Sequence, residues 1–220
     1  MNKKMKVGIT GSQYTFDVFQ QKLAGIAELK TLDGAAVLPE LDLAIVTDAE
    51  NQRQLLAELV AQNIPLFLGL KQKTLIDSLS GLEIKDAQVA GFNALPLFLE
   101  TDSMECCSIE KDKHDKFNVL FESIGLKAIW VEDRVGFVSP RILLMIINEA
   151  YYTVQEGTAG KAEIDIAMKL GTAYPYGPFE ACEKIGIKNV YETLSAMYED
   201  TKDGRYKICP MLKLEYFRMH

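Results

Sequence analysis

Lys6-Val7-Gly8-Ile9-Thr10-Gly11-Ser12-Gln13-Tyr14-Thr15-Phe16 is the stretch on which the reading of the fold turns. A short apolar run that ends in glycine and passes straight into a helical pattern has the form of the first strand and turn of a dinucleotide-binding fold. That motif uses three glycines: one for the tight turn, one for close approach of a pyrophosphate, one for helix-strand packing. Gly11 supplies the first. The second position is Gln13, whose side chain fills space a pyrophosphate needs, and the third is Phe16, which holds the helix off the sheet. Gly8, Gly11, Ser12 and Gln13 are the candidate cofactor-binding residues. The acid that would hold a ribose belongs about 20 residues further on. There, Glu28 and Asp33 flank Leu29-Lys30-Thr31-Leu32, and neither is clearly the equivalent.

Outward from this turn, short apolar runs alternate with helical patterns. Lys6 to Thr10, Leu43 to Thr47, Pro65 to Leu68, Gln88 to Phe92 and Ala128 to Val131 read as buried strands. Cys106-Cys107 reads as part of another. Tyr14 to Leu23, Glu50 to Gln62, Lys73 to Leu79 and Asp112 to Ile124 have helical spacing, with Leu55, Leu56, Leu59 and Val60 as one apolar stripe. Such alternation predicts an α/β fold, a Rossmann-like parallel sheet with helices on both faces. After Gly136 nothing keeps strand period. Phe137 to Gln155 reads as one long buried helix, with Ser139 as N-cap, Pro140 at its first position and Gly157 at its C-terminal end. Further helices are expected over Ala162 to Leu170, stopping at Gly171, from Pro178 to near Gly186, and over Val190 to Met197. The division predicted is 1–132 for the sheet domain and 133–220 for an all-helical domain.

Composition narrows the classes of function. Hydrophobic residues at 48% and charged residues at 25% are ordinary for a globular protein. A net charge of -7 and a pI near 5.0 argue against nucleic acid as partner. The four cysteines lack zinc-ligand spacing and there are only two histidines, so no metal site is expected and the thiols read as free and reduced. Neither a signal peptide nor a membrane span is expected, which predicts a cytoplasmic protein.

Three runs in the second half carry a resemblance. They are Asp133-Arg134-Val135-Gly136-Phe137-Val138-Ser139-Pro140-Arg141, Asp165-Ile166-Ala167-Met168-Lys169-Leu170-Gly171 and Tyr174-Pro175-Tyr176-Gly177-Pro178-Phe179-Glu180. In sequence, order and separation they resemble the C-terminal half of the NAD-dependent 3-hydroxyacyl-CoA dehydrogenases. Tyr206 to Leu212 resembles the same family's C-terminal segment. The first half resembles the family's nucleotide-binding domain in a shortened form. The resemblance implies a Rossmann-like domain followed by a 6-phosphogluconate dehydrogenase C-terminal-like helical domain. It further implies NAD as cofactor, an acyl-CoA thioester as ligand and a homodimer formed through the helical domain.

It also implies chemistry that this chain alters. In the family a histidine paired with a glutamate takes the proton of the 3-hydroxyl as hydride leaves. The matching segment runs from Ala90 to Asp102, with Phe92, Asn93 and Pro96 in place and Ala90 at the histidine position. The glutamate falls on Asp102 without a gap, or on Glu100 with a two-residue deletion. The substrate-contacting asparagine falls on Pro140, beside Ser139, whose hydroxyl suits either a substrate or the helix cap. The family's serine after the fourth strand has no counterpart in Gly69-Leu70-Lys71-Gln72-Lys73. The candidate catalytic residues are therefore Glu100, Asn93 and Ser139, with Tyr14 as a further proton donor. Met145, Met168, Phe179 and Met197 suit an acyl pocket or plain core, and Arg141, Lys161, Lys169, Lys184 and Lys188 suit CoA phosphates or a solvated surface. Three readings stay open: an active dehydrogenase with a changed proton relay, a non-catalytic acyl-CoA-binding or interaction protein, and reduction of a different small substrate, for which Tyr14 and Glu100 are the candidate proton donors.

Overall fold

A computed structural model describes residues 4–32, 40–49, 51–84, 87–110 and 114–219. The expected starts of two helices, at Glu50 and Asp112, fall outside the described residues, as do Asp33 and His220. The chain divides into two compact units, one of residues 1–94 and 98–134, the other of residues 95–97 and 135–220. Among the described residues no helix is long and apolar enough to cross a membrane.

The first unit is built on a seven-stranded sheet. Its strands are β1 (Met5–Thr10), β2 (Ala27–Thr31), β3 (Leu43–Val46), β4 (Leu66–Leu70), β5 (Val89–Asn93), β6 (Ser103–Ser108) and β7 (Lys127–Trp130), in the order β2-β1-β3-β4-β5-β6-β7. Helices α1 (Gln13–Lys22), α2 (Arg53–Ala61), α3 (Leu75–Ser78) and α5 (His114–Ser123) lie between strands. Short α4 (Pro96–Leu99) follows β5. The mostly parallel sheet meets the fold expectation, with one difference: β5 and β6 pair antiparallel. Only residues 94–102 join them. A parallel crossover needs a dozen residues or more, so a short link leaves antiparallel pairing as the available geometry.

Strands of period two divide the core between the two sheet faces. Val7, Ile9, Leu43, Ile45, Phe67, Ala90 and Phe92 share one cluster with Phe19 of α1 and with Phe117 and Phe121 of α5. Ala44, Val46, Leu66 and Leu68, at the alternate positions, are also fully buried. Near-continuous apolar strands are what a sheet covered on both faces requires. The chain leaves β1 outward to β2 and then resumes on the other side of β1 with β3, so the order reverses at β1.

The second unit is helical: α6 (Ser139–Gln155), α7 (Lys161–Thr172), α8 (Pro178–Ile185), α9 (Ile187–Thr201), a 3₁₀ turn over Gly204–Tyr206 and α10 (Pro210–Met219). Its boundaries correct three expectations. Val138 is the N-cap of α6 and Ser139 is already its first residue, with Pro140 beside it. Gly171 lies inside α7, which ends only at Ala173 in the left-handed conformation (φ 56). Helix α9 extends beyond Val190 to Met197 at both ends. The C-terminal end of α6 is as expected. Gly157 (φ 75) donates to the Val154 carbonyl at 3.0 Å and Thr158 donates to Thr153 at 3.1 Å, the paired bonds of a glycine-stopped helix.

Candidate functional site

The turn after β1 brings Gly11, Ser12 and Gln13 together. Gly11 has φ 146, a region that favours glycine, and a Cβ there would collide with the Thr47 hydroxyl. That hydroxyl donates to the Thr10 carbonyl at 2.9 Å, and the Thr47 amide donates to the same oxygen at 3.2 Å. The gap between β1 and β3, where the strand order reverses, is thus bridged by Thr47. Ser12 is the N-cap of α1, its Oγ accepting from the Thr15 amide at 3.2 Å. Gln13 turns along the helix and donates to Asp17 at 2.8 Å. Gly8 does not reach the turn. It is buried within β1, where a Cβ would meet Leu32 and Leu41.

The cleft left at this turn is lined by Ile9, Gly11, Ser12, Gln13, Phe16 and Thr31 and measures about 120 Å³. Small-molecule sites run from ~300 to 1,000 Å³. A pyrophosphate cradle offers bare backbone amides at the helix start. Here Ser12 has taken one of those amides, and Gln13 and Phe16 stand at the two positions where the motif needs no side chain. These residues do not fit the pyrophosphate of a dinucleotide. At the end of β2, Thr31 occupies the cleft edge, while Glu28 lies within β2 on an ion pair with Lys30 at 3.6 Å.

The candidate catalytic residues of the sheet unit lie at and beyond β5. Ala90 is a fully buried member of the core, opposite Phe67 in the β4 register. Asn93 closes β5 and is 3% exposed. Glu100 is exposed and accepts from the Tyr14 phenol at 2.9 Å. Burial first, and then the Glu100 carboxylate, hold that phenol well above its ordinary pKa, so it remains protonated. One helical stripe further, Lys22 donates to the Thr101 carbonyl at 2.5 Å. Residues 100 and 101 therefore run along one flank of α1. His114 is not placed to move a proton here. His114 sits in α5, stacked on Trp130 at 4.1 Å, and His220 is outside the described residues. Among the described residues no group of three or more His, Cys, Asp or Glu side chains is arranged to hold a metal ion.

In the helical unit Ser139 is exposed at the first position of α6. The motif residues around it have structural work. Arg141 donates to the Val135 carbonyl at 2.5 Å, the Phe137 carbonyl at 3.3 Å and the Tyr206 hydroxyl at 2.6 Å. It braces a turn in which Gly136 (φ 78) and Phe137 (φ 44) are both left-handed. Asp165, 8% exposed, accepts from the amides of Phe179 at 2.8 Å and Glu180 at 3.2 Å. It caps α8, where Gly177 has no side chain to do so, and a Cβ on Gly177 would collide with it. Asp133 acts alike in the sheet unit, accepting from Leu75 at 2.7 Å and Ile76 at 3.1 Å at the start of α3.

The side chains considered for acyl-CoA are largely committed within the fold. Met197 is fully buried beneath Gly136, and Phe179 packs edge-on to Tyr151 at 5.0 Å. Lys161 pairs with Glu215 at 2.6 Å, Lys169 with Glu180 and Lys188 with Glu192 at 3.9 Å. Lys184 lies 4.8 Å from the Tyr176 ring centre. Met145 instead lines an open groove of about 370 Å³ with Arg141, Ile142, Ile146, Glu149, Arg205 and Tyr206. Sequence reasoning missed this groove, although the apolar period of α6 carried its signal. All four cysteines are buried and free.

Residues 136–216 match the model of the 3-hydroxyacyl-CoA dehydrogenase C-terminal domain. A protein described as a probable 3-hydroxybutyryl-CoA dehydrogenase, from Bacillus subtilis, is 40% identical over 43% of this chain and 33% of its own length. The 3-hydroxybutyryl-CoA dehydrogenase of Clostridioides difficile is 29% identical over 80% of this chain and 65% of its own. The chain thus matches from a third to two thirds of the length of these relatives. The fold is that of the crystal structure of (S)-3-hydroxybutyryl-CoA dehydrogenase from Ralstonia eutropha, with a TM-score of 0.78 and 18% identity, covering 99% of this chain and 95% of that one.

Proposed function

Because the chain belongs to the 3-hydroxyacyl-CoA dehydrogenase family, we propose that it is a member that binds a CoA thioester without running the family's dehydrogenation. In this reading residues 1–132 form the reduced nucleotide-binding-type domain and 133–220 the helical domain, and the protein acts in acyl-CoA metabolism in the cytoplasm. The observation that carries the reading is the buried methyl of Ala90 where the resemblance places the proton-transfer histidine. An alanine moves no proton, and the candidate carboxylate, Glu100, is engaged by a phenol held in its protonated form. The cramped turn at Gly11 supports the same reading, because its cleft measures only about 120 Å³ and Ser12 occupies one of the amides on which NAD would rest.

Assembly as a homodimer through the helical unit belongs to the proposal. Its support is the apolar face of α6, where Val138 is 48% and Ile142 is 56% exposed beside Met145 and Ile146. Exposed apolar side chains of that kind mark interaction sites.

One observation favours a second reading, an NAD-dependent oxidoreductase with an altered relay: Tyr14 and Glu100 do stand within hydrogen-bond distance, at 2.9 Å. Calorimetric titration with acetoacetyl-CoA and, separately, NADH distinguishes the two, followed by an absorbance assay for NADH consumption. The first reading expects the thioester to bind and no turnover. Micromolar NADH binding with turnover that Tyr14→Phe abolishes would replace it with the second.

A further inference from the structure

The cations of the helical unit that the resemblance offers to a phosphate are all engaged inside that unit. The sheet unit has a different kind of place. At the C-terminal edge of β3 and β4, where open α/β sheets take their ligands, lies a polar cleft of about 420 Å³. Ala49, Arg53, Lys73, Asp77, Ser78 and Ser80 line it. It is more than three times the size of the cleft at the glycine turn.

Arg53, the first residue of α2, is set in this cleft with its guanidinium fixed. One Nη donates to the Ser78 carbonyl at 2.6 Å and the other to the Ser80 carbonyl. A guanidinium carries five N–H donors in one plane. Two hold the plane in position, and the remaining three meet no acceptor among the described residues. Lys73 adds a second positive charge from the segment after β4. The acid in the cleft, Asp77, has one carboxylate oxygen occupied by the Thr74 hydroxyl at 2.6 Å. Gln52, the N-cap of α2, makes no side-chain cap bond, so the positive end of that nine-residue helix is not closed from its own side chain.

We propose that this cleft is an anion site that binds a phosphate ester, with Arg53 gripping two oxygens in a fork and Lys73 supplying a point charge. A pre-oriented guanidinium loses little side-chain freedom on binding, and its planar donors match phosphate geometry. The volume admits the phosphate and part of whatever carries it. The inference is independent of whether the carrier is the thioester proposed above, since a nucleotide phosphate and a CoA phosphate share this chemistry.

The test is calorimetric titration of the 220-residue chain with inorganic pyrophosphate and with CoA, for the wild type, Arg53→Gln and Lys73→Gln. Wild-type protein is expected to bind pyrophosphate in the micromolar to low-millimolar range, more weakly as salt is raised. Either folded variant is expected to weaken that binding about tenfold. Arg53 also ties the Ser78 and Ser80 carbonyls, so thermal melting accompanies each variant, and if Arg53→Gln does not fold, Lys73→Gln decides. Absence of pyrophosphate binding by the wild type overturns the proposal, as does affinity unchanged in every folded variant. Binding of CoA alone, indifferent to both substitutions, also overturns it while leaving the thioester reading intact.

Discussion

Gly11 before α1 and Gly177 before α8 both stand at helix starts, but for different physical reasons. Gly11 is fixed by its own backbone, with φ 146, and its helix is capped locally by Ser12 one residue later. Gly177 has an ordinary extended backbone, φ -68 and ψ 161, and is fixed by a neighbour. Asp165, from the preceding helix, occupies the space of its missing side chain and caps α8 from outside. A locally capped helix asks nothing of distant residues. A remotely capped one ties two segments of sequence together, so Asp165 and Gly177-Pro178 form one structural device. The motif matches of the second half therefore describe how the helical unit is built, and by themselves they say nothing about catalysis.

The largest expected effect breaks the remote cap. Asp165→Ala leaves two amides at the start of α8, one buried and one part-buried, without their acceptor, a cost of about 3 kcal/mol. The sole tryptophan, Trp130, lies in β7 of the sheet unit. Unfolding followed by circular dichroism should shift strongly, while Trp130 fluorescence shifts less. Equal shifts by both probes would show that the two units unfold together and that the cap is not local to one of them.

A second device of the helical unit is its buried polar cluster. The Tyr151 hydroxyl donates to Glu215 at 2.8 Å and lies 4.0 Å from the Cys182 sulfur. Burial raises the Cys182 thiol pKa from 9.0 to about 11. Between those values the unfolded chain loses the thiol proton while the folded chain keeps it, so stability present below pH 9 declines as pH rises toward 11. The single-group effect is about 3 kcal/mol at most. Cys182→Ala should flatten the decline in unfolding free energy over that window by up to about one proton. An unchanged slope would place the thiol in contact with solvent.

Legibility followed the same divide. Four of the strands were readable because a sheet covered on both faces makes near-continuous apolar runs, as in Leu43 to Val46 and Leu66 to Leu70. The run from Ala128 to Val131 also marked a strand, but β7 is an edge strand with Ile129 half exposed, not the buried strand expected. Edge strand β2, Ala-Glu-Leu-Lys-Thr, is half exposed and gives no such run, so it read only as a candidate acid-bearing segment. The antiparallel pairing of β5 with β6 depends on loop length rather than composition. Ser139 looked like a cap because serine favours that place, but the brace from Arg141 to the carbonyls of Val135 and Phe137 sets the helix start one residue earlier. Tyr14 and Glu100 were legible only as separate donors. Their pairing spans 86 residues, and nothing in local sequence reports it. The cleft at Arg53 and Lys73 joins segments after two different strands and was likewise invisible.

On the sheet side of the comparison the expected effects are smaller. Ser12→Ala removes a local cap and should cost about 1 kcal/mol, read by Trp130 fluorescence in urea. A cost near 3 kcal/mol would mean that Ser12 does for α1 what Asp165 does for α8, and the contrast would fail.

Tyr14→Phe tests the weakest link. Tyr14 is 37% exposed and its carboxylate partner is at the surface, so water competes for both, and the loss in stability should be about 0.5 kcal/mol. The hydroxyl sits in the first turn of α1, between the glycine turn and the segment that carries Glu100. If its bond only docks residues 100 and 101 against the helix, the substitution leaves thioester binding unchanged. Glu100→Gln, which keeps the acceptor and removes the charge, should then behave like the wild type. A loss of thioester binding in Tyr14→Phe at unchanged stability would move the phenol from scaffold to site, and the sheet unit would hold a functional group where its turn holds none.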